Sequence, residues 1–182
     1  MSDPIRVGVL TISDRCSRGQ AVDTSGPSLA AIAREKLGAE IAATACVPDE
    51  VDQIGAVFLD WSRAERRIDL ILSTGGTGLA PRDVTPEAAM RVIERPHAGL
   101  VELARLRCMA KTARTFLSRG VAGTIGRTLI ITLPGSPRGA TENLEALLDI
   151  LPHAIETLRG EVQDDGRPGA TGTTGRVIAH KD

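Results

Sequence analysis

The sequence predicts an α/β fold, a three-layer α/β/α sandwich in which helices cover both faces of a mainly parallel central sheet. Short β-branched runs alternate along the chain with segments whose apolar residues recur at helical spacing. Strands joined through helices favour right-handed crossovers and parallel pairing. At 182 residues, 42% of them hydrophobic, the chain is long enough to bury a single core. We therefore expect one domain over residues 1–159, followed by a tail rich in Gly and Thr over residues 160–182.

The strands are predicted from four apolar runs whose continuous hydrophobic character indicates burial on both faces. These runs cover residues 5–13, 41–47, 69–73 and 128–133. The segments VAGTI and TLIITL are separated only by Gly126-Arg127, a spacing typical of a tight hairpin. The sheet should therefore carry a short antiparallel hairpin at one edge.

The helices are predicted from apolar residues that fall on one side at a period of 3.6 residues. Residues 29–37, 51–61 and 99–113 each show this pattern. A last apolar face runs over residues 144–158 and contains Pro152, which either starts a second helix or kinks the first.

Composition excludes several classes of protein. The 22 basic and 23 acidic residues nearly balance, which argues against a general nucleic-acid or membrane-surface binder. One Trp, two Phe and no Tyr cannot form stacking platforms for single-stranded nucleic acid. The three cysteines are widely spaced and the first residues lack the basic region of a signal peptide. We therefore expect a cytoplasmic protein with small-molecule substrates.

Polar or glycine-containing loops follow all four predicted strands. Ligand sites of parallel sheets lie beyond the carboxyl ends of the strands, so these loops should meet at one edge. The loops contain Ser13 and Asp14; Pro48, Asp49 and Glu50; Thr74, Gly75, Gly76, Thr77 and Gly78; and Pro134, Gly135 and Ser136.

The stretch STGGTG indicates an anion site. Glycines let backbone N–H groups approach a ligand closely, and consecutive N–H groups form a concavity that suits phosphate. The hydroxyls of Thr74 and Thr77 would add donors, whereas a tight turn without any ligand is the alternative. The stretch is not a Walker loop, because the chain lacks G-x-x-x-x-G-K-[ST]. It is not a dinucleotide fingerprint either, because Pro81 occupies the place of the last glycine.

Asp49 and Asp83 are candidate magnesium ligands. Mg²⁺ prefers oxygen ligands and usually combines one or two carboxylates with substrate phosphates. An acid beside a phosphate site would repel the ligand unless a cation stood between them. The alternatives are a helix N-cap for either residue, or a salt bridge from Asp83 to Arg82. Cations that could face the phosphates are Arg82, Lys111 and Arg119, among which the sequence does not choose.

Two further loops are weaker candidates. Asp23, Ser25 and Gly26 precede the first helix, whose N-terminus could hold an anion. The alternative there is an ordinary N-cap at Thr24 or Ser25. Ser136 could donate to a phosphate, although a plain Pro-Gly turn is equally consistent with that segment.

Several stretches together resemble the molybdopterin adenylyltransferase family of molybdenum cofactor biosynthesis, which includes the N-terminal domain of gephyrin. They run in order from about residue 5 to 158 and include LTISDRCSRGQAVDTSGP, DLILSTGGTGLAPRDVTPEA and LSRGVAGTIGRTLIITLPGSP. The combination of TGGTG with RDVTPEA carries most of the resemblance.

The resemblance implies Mg²⁺, with ATP and molybdopterin as substrates, and adenylylation of the terminal phosphate of molybdopterin with release of pyrophosphate. Asp49 and Asp83 would be the catalytic acids that organise Mg²⁺ and ATP. The glycine stretch from Thr74 to Gly78, with Ser13 and Asp14, would line the nucleotide side. The molybdopterin side would be formed by Asp23, Ser25, Gly26, Pro134, Gly135 and Ser136.

The resemblance also implies a homotrimer, and hand-over of the product to a molybdenum-insertion enzyme stays open. Two other functions remain as alternatives. The same fold could bind or carry molybdopterin without turnover, or it could serve as a scaffold. The presence of both Asp49 and Asp83 favours turnover, because a binding module needs only the phosphate site.

Overall fold

A six-stranded sheet forms the centre of the computed structural model, which describes residues 3–161. The strand order is β2-β1-β3-β6-β5-β4; the first four are parallel and the last two pair antiparallel. The strands are β1 Arg6–Ile12, β2 Glu40–Val47, β3 Leu70–Thr74, β4 Arg95–Pro96, β5 Ala122–Ile125 and β6 Thr128–Leu133. The predicted α/β fold with a mainly parallel sheet and an antiparallel edge is confirmed.

The hairpin turns at Gly126-Arg127, as predicted. Ile125 pairs with Thr128 across the turn, and Gly126 adopts a φ of 54°, which suits a two-residue hairpin loop. The two-residue strand β4 pairs with β5 and extends this antiparallel edge.

One expectation about burial is wrong. Strand β2 is not buried on both faces, since Thr44 and Cys46 are exposed and the rest of the strand is at best half-buried. The reason is its place in the sheet, because β2 is an edge strand that pairs with β1 alone.

Seven helices flank the sheet within residues 3–161. They are α1 Asp14–Ser17, α2 Ser25–Leu37, α3 Val51–Trp61, α4 Thr85–Val92, α5 Ala98–Cys108, α6 Pro137–Glu145 and α7 Leu151–Arg159. Apolar residues of α2, α5, α6 and α7 build one core with the sheet, and those of α3 and α4 build the other. These are the three layers expected from the sequence.

Successive side chains of a strand point to opposite faces of the sheet and so belong to different cores. In β3, Leu70 and Leu72 face the first core, whereas Ile71 faces the second. Val9 and Leu10 separate in the same way in β1. A strand with apolar residues at every position therefore serves two helical layers at once.

The later helices differ in part from the predicted pattern. Helix α5 ends at Cys108 instead of continuing to residue 113, and a 3-10 turn, Ala113–Leu117, follows it. Pro152 lies in the first turn of α7, so it starts a second helix. The predicted tail lies outside the described residues from residue 162 onward, and its boundary stays a prediction. No helix of residues 3–161 combines the length and hydropathy that crossing a membrane requires.

Candidate active site

The loops that follow β1, β2, β3 and β6 meet at the carboxyl edge of the sheet, around a cavity of about 340 Å³. The predicted residues that line it are Ser13, Asp23, Ser25, Asp49, Thr74, Gly75, Gly76, Asp83 and Gly135. The other predicted residues belong to the same loops but do not line the cavity: Asp14, Gly26, Thr77, Gly78, Pro134 and Ser136.

Gly75 is required by its backbone and by its neighbours. Its φ is 109°, a region that L-residues rarely adopt, and a Cβ there would lie 2.0 Å from the carbonyl oxygen of Ile12. A Cβ on Gly135 would in turn lie 3.1 Å from Gly75 Cα. The loops after β1, β3 and β6 therefore touch through backbone atoms at this point.

Gly76 and Gly78 lie directly against the two candidate acids. Gly76 has a φ of 60°, and a Cβ there would lie 2.4 Å from Thr85 Oγ1 and 2.9 Å from Asp49 Oδ1. A Cβ on Gly78 would lie 2.7 Å from Asp83 Oδ2. The absence of side chains thus brings both carboxylates against the backbone of one loop.

The threonine hydroxyls join loops instead of facing the cavity as free donors. Thr74 Oγ1 donates to Pro134 O at 2.7 Å, and Thr85 Oγ1 donates to Gly75 O at 2.8 Å. Thr77 Oγ1 accepts from Ser118 Oγ at 3.2 Å. Of these three threonines only Thr74 lines the cavity, and its hydroxyl proton is already used, so this loop can offer an anion in the cavity only backbone N–H groups.

Asp49 connects the ends of β1 and β2. Its Oδ2 accepts the backbone N–H of Asp14 at 2.8 Å, while its own N–H donates to Asp14 Oδ1 at 3.4 Å. Helix α3 begins at Val51, and its cap position, Glu50, makes no side-chain cap bond. The N-cap alternative for Asp49 is therefore wrong.

The carboxyl group of Asp49 is held in an environment that disfavours its charge. Burial raises its pKa above the ordinary value of 3.8; the N–H of Asp14 opposes this, and the charges of Asp14 and Asp83 add to it. Within residues 3–161, no cationic side chain forms an ion pair with Asp49.

Asp14 is instead neutralised by Arg82. The guanidinium makes three contacts of 2.9 to 3.1 Å with the Asp14 carboxylate and a fourth, at 2.9 Å, with Glu50. Although desolvation works against ionisation, Arg82 lowers the pKa of Asp14 below its ordinary value. Arg82 thereby connects the loop after β3 with the loops after β1 and β2.

Asp83 closes a short turn within the loop after β3. Its Oδ2 accepts the N–H of Ala80 at 2.9 Å, and its N–H donates to Ala80 O at 2.9 Å. Helix α4 begins at Thr85 without a side-chain cap bond, and Arg82 contacts other carboxylates. Both structural alternatives for Asp83, the cap and the salt bridge, are therefore wrong.

Asp23 organises the opposite wall of the cavity. Its Oδ1 accepts the N–H groups of Ser25 and Gly26 at 3.1 and 3.0 Å, and its Oδ2 accepts Thr11 Oγ1 at 2.6 Å. Asp23 thus provides the side-chain cap that was expected from Thr24 or Ser25. Ser25 Oγ donates across the cavity wall to Gly135 O at 2.8 Å.

Ser136 acts as the side-chain cap of α6. Its Oγ accepts the N–H of Gly139 at 3.1 Å, and Pro137 occupies the first turn of that helix. The hydroxyl proton stays available because this contact uses only an oxygen lone pair.

The chemistry of the two acids fits Mg²⁺. Each carboxylate has one oxygen, Oδ1, with no hydrogen bond from residues 3–161, and hard oxygen atoms are what Mg²⁺ prefers. No group of three His, Cys, Asp or Glu side chains in the described part of the chain is arranged to hold a metal. The pair therefore suits an ion whose remaining ligands are phosphates and water.

Comparison with known proteins identifies the family of the chain. A family model described as "probable molybdopterin binding domain" matches residues 8–153. The chain belongs to this family. Membership places it among the domains of molybdenum cofactor biosynthesis.

Individual relatives support the same placement. The chain is 36% identical over 157 residues to a molybdopterin adenylyltransferase from Helicobacter pylori, covering 86% of this chain and 89% of that protein. It is 43% identical to gephyrin from Dictyostelium discoideum, covering 82% of this chain but only 22% of that longer protein. The crystal structure of the molybdopterin biosynthesis enzyme MoaB from Thermus thermophilus superposes with a TM-score of 0.80 at 49% identity, covering 86% of this chain and 97% of that one.

Sequence reasoning missed three residues that shape the site. Thr11 lines the cavity and holds Asp23, and its signal was a hydroxyl near the end of an otherwise apolar strand. Thr85, at the start of α4, donates to the carbonyl oxygen of Gly75, a contact that no pattern in the sequence indicates. Arg119 was considered only as a phosphate contact, and its contacts to the loop that carries Asp83 had no sequence signal.

Proposed function

We propose that the protein is a molybdopterin adenylyltransferase, which transfers AMP from Mg-ATP to the terminal phosphate of molybdopterin. The observation that carries this proposal is the pair Asp49 and Asp83, which lie without a cationic partner from residues 3–161 against a glycine loop at the carboxyl edge of the sheet. A phosphate site beside two unpaired acids makes chemical sense when a metal nucleotide is the ligand.

The proposed reaction needs no nucleophilic side chain. A phosphate monoester is already mostly dianionic near neutral pH, so its oxygen can attack the α-phosphorus of ATP directly. One oxygen–phosphorus bond forms, the bond between the α-phosphorus and the bridging oxygen breaks, and pyrophosphate leaves with that electron pair. The enzyme's task is alignment and stabilisation of charge.

The residues of the cavity divide this task. Backbone N–H groups of the glycine loop would hold the nucleotide phosphates, and Asp49 and Asp83 would hold Mg²⁺. Mg²⁺, when bound, would offset the charge that develops on the departing pyrophosphate. The wall formed by Asp23, Ser25 and Gly135 would receive the pterin and its phosphate, as the resemblance implies.

The proposed assembly is a homotrimer. Four large apolar side chains in the stretch from the end of α5 to the following 3-10 turn are about half-exposed, which supports contact with further copies of the chain. They are Leu106, Met109, Phe116 and Leu117. Light scattering at micromolar concentration should report three times the chain mass, and a monomer would refute this part of the proposal.

The test is pyrophosphate release from Mg-ATP with and without molybdopterin. We expect release only when molybdopterin is present, with AMP recovered on the pterin. Asp83→Asn should lower the rate at least about 1,000-fold while molybdopterin affinity changes only a few-fold, since it removes a charge needed mainly in the transition state. The matched control is Asp149→Asn, because Asp149 pairs with Arg107 on the surface, away from the cavity.

Two outcomes would oppose the proposal. Equal loss of turnover and of molybdopterin affinity in Asp83→Asn would contradict the role of Asp83 toward the metal. Tight molybdopterin binding by the wild-type protein without any pyrophosphate release would make the chain a binding or carrier module.

A further inference from the structure

Arg119 contacts the loop that carries Asp83 through both its backbone and its side chain. We name residues 77–84 the Asp83 loop. The backbone N–H of Arg119 donates to Thr77 O at 2.7 Å, and its Nε donates to Gly78 O at 2.8 Å. Its Nη2 donates to the carbonyl oxygen of Asp83 itself. One side chain therefore contacts both ends of the loop.

The guanidinium is almost fully occupied by protein acceptors. Besides the two carbonyls, Nη1 and Nη2 contact the two carboxylate oxygens of Glu87 on α4. Four of the five N–H donors of an arginine are thereby used. Arg119 could offer its charge to a phosphate only by releasing part of the loop.

Little else holds the exposed part of the Asp83 loop in place. Leu79 is 69% exposed, and Ala80 and Pro81 are also exposed. Inside the loop, the bonds between Ala80 and Asp83 close the turn but do not fix it relative to the sheet. Arg82 attaches the loop to the carboxylates of Asp14 and Glu50, and this contact is exposed.

We propose that Arg119 is a positioning residue for Asp83. By joining the carbonyls of Gly78 and Asp83 through one rigid plane, it sets the width of the loop and keeps the Asp83 carboxylate against Gly78. This inference rests on the proposed function only for its effect on turnover, since the loop contacts exist in the protein alone.

Lysine cannot replace arginine in this arrangement. A planar guanidinium presents donors in fixed directions, whereas an ammonium group is a single point of charge. Lysine at position 119 could keep the ion pair with Glu87 but could not reach Gly78 O and Asp83 O together. Arg119→Lys therefore removes the contact geometry and preserves the charge.

The test compares Arg119→Lys with Arg107→Lys as the matched control. Arg107 makes a two-bond ion pair with Asp149 on the exposed surface and has no bond to the Asp83 loop, so the same substitution there removes a guanidinium away from the site. In ligand-free protein, we expect amide hydrogen exchange at Ala80 and Asp83 to quicken at least about tenfold in Arg119→Lys, and not in Arg107→Lys.

Turnover supplies the second measurement. In Arg119→Lys, kcat for pyrophosphate release should fall about 10- to 100-fold and the Mg²⁺ concentration for half-activation should rise, while KM for molybdopterin stays within about threefold. Arg107→Lys should retain wild-type values for all three.

The outcomes separate this inference from the proposed function. If wild-type protein releases no pyrophosphate, the proposed function fails, and hydrogen exchange alone decides whether Arg119 holds the loop. Unchanged exchange in Arg119→Lys, equal changes in both variants, or faster exchange with unchanged kcat and Mg²⁺ dependence in an active enzyme would each overturn the inference.

Discussion

The two ends of β3 carry aspartates in opposite surroundings. Asp69, just before the strand, accepts two bonds from Arg159, at 2.7 and 2.9 Å, and one from the backbone N–H of Arg6 at 2.8 Å. Asp83, after the strand, and Asp49 beside it have no ion pair from residues 3–161. A carboxylate that is paired in this way belongs to the framework of the fold, whereas under the proposed function the two carboxylates without an ion pair would bind a cation.

Among the variants that test this comparison, the largest effect should come from filling the space beside Asp49. In Gly76→Ala the new methyl group would meet Thr85 Oγ1 and Asp49 Oδ1, so we expect adenylyl transfer to fall about 100-fold. Gly38→Ala is the control, because Gly38 has the same φ of 60° and open space around it. Gly38→Ala should lose about 1 kcal/mol of stability for the left-handed backbone, and Gly76→Ala should lose more, because the clash with Thr85 Oγ1 adds to it.

This comparison has a clear opposite outcome. If Gly76→Ala and Gly38→Ala have equal transfer rates in steady-state assays, the contact between the glycine loop and Asp49 has no part in the reaction. The loop after β3 would then be an ordinary turn.

The next effect concerns stability at the other end of β3. Asp69→Asn leaves Arg159, whose side chain is only 14% exposed, with a single ion pair from residues 3–161, the longer contact of 3.8 Å to the carboxylate of Glu161. We expect a loss of about 2 kcal/mol in the free energy of unfolding by urea, with transfer activity unchanged below the transition. The control is the exposed pair of Arg107 and Asp149, because Asp149→Asn should lower the free energy of unfolding much less. Similar losses in both variants would show that burial of the Asp69 pair does not matter.

The smallest effect should be a gain in stability in Asp49→Asn, opposite in sign to the loss expected for Asp69→Asn. Because the folded protein raises the pKa of Asp49, it binds that proton more tightly than the unfolded chain does. Wild-type stability is therefore lost as pH rises from the ordinary value of 3.8 through the raised pKa. Asp49→Asn has no such proton to lose. In EDTA, the difference between its Tm and that of the wild type should therefore increase as pH rises from about 4 to 7. A constant difference, or one that reverses, would show that the charge at Asp49 is not penalised.

The sequence predicted the elements whose signals are local. Strand ends, the hairpin at Gly126-Arg127 and the helix that starts at Pro152 all follow from patterns within a few residues. The exposure of β2 does not, because it depends on the strand order, which is a property of the whole sheet. The early end of α5 at Cys108 also lacks a nearby Gly or Pro that would signal it.

The candidate site shows the same division. The convergence of the four loops could be predicted from parallel pairing alone. The partners of their polar groups could not, since Thr74 bonds to Pro134 and Arg119 to Gly78 across long separations in the chain. These contacts show that the threonine hydroxyls connect loops of the fold, and the proposed role of Arg119 rests on them.

The bond from Ser25 Oγ to Gly135 O joins positions that are 110 residues apart. One wall of the cavity is therefore complete only when an early and a late part of the chain have met. Contacts of such long range form late in folding, because closing a long loop costs entropy before any contact repays it. During synthesis or refolding, the cavity should thus become competent to bind only after both parts of the chain have come together.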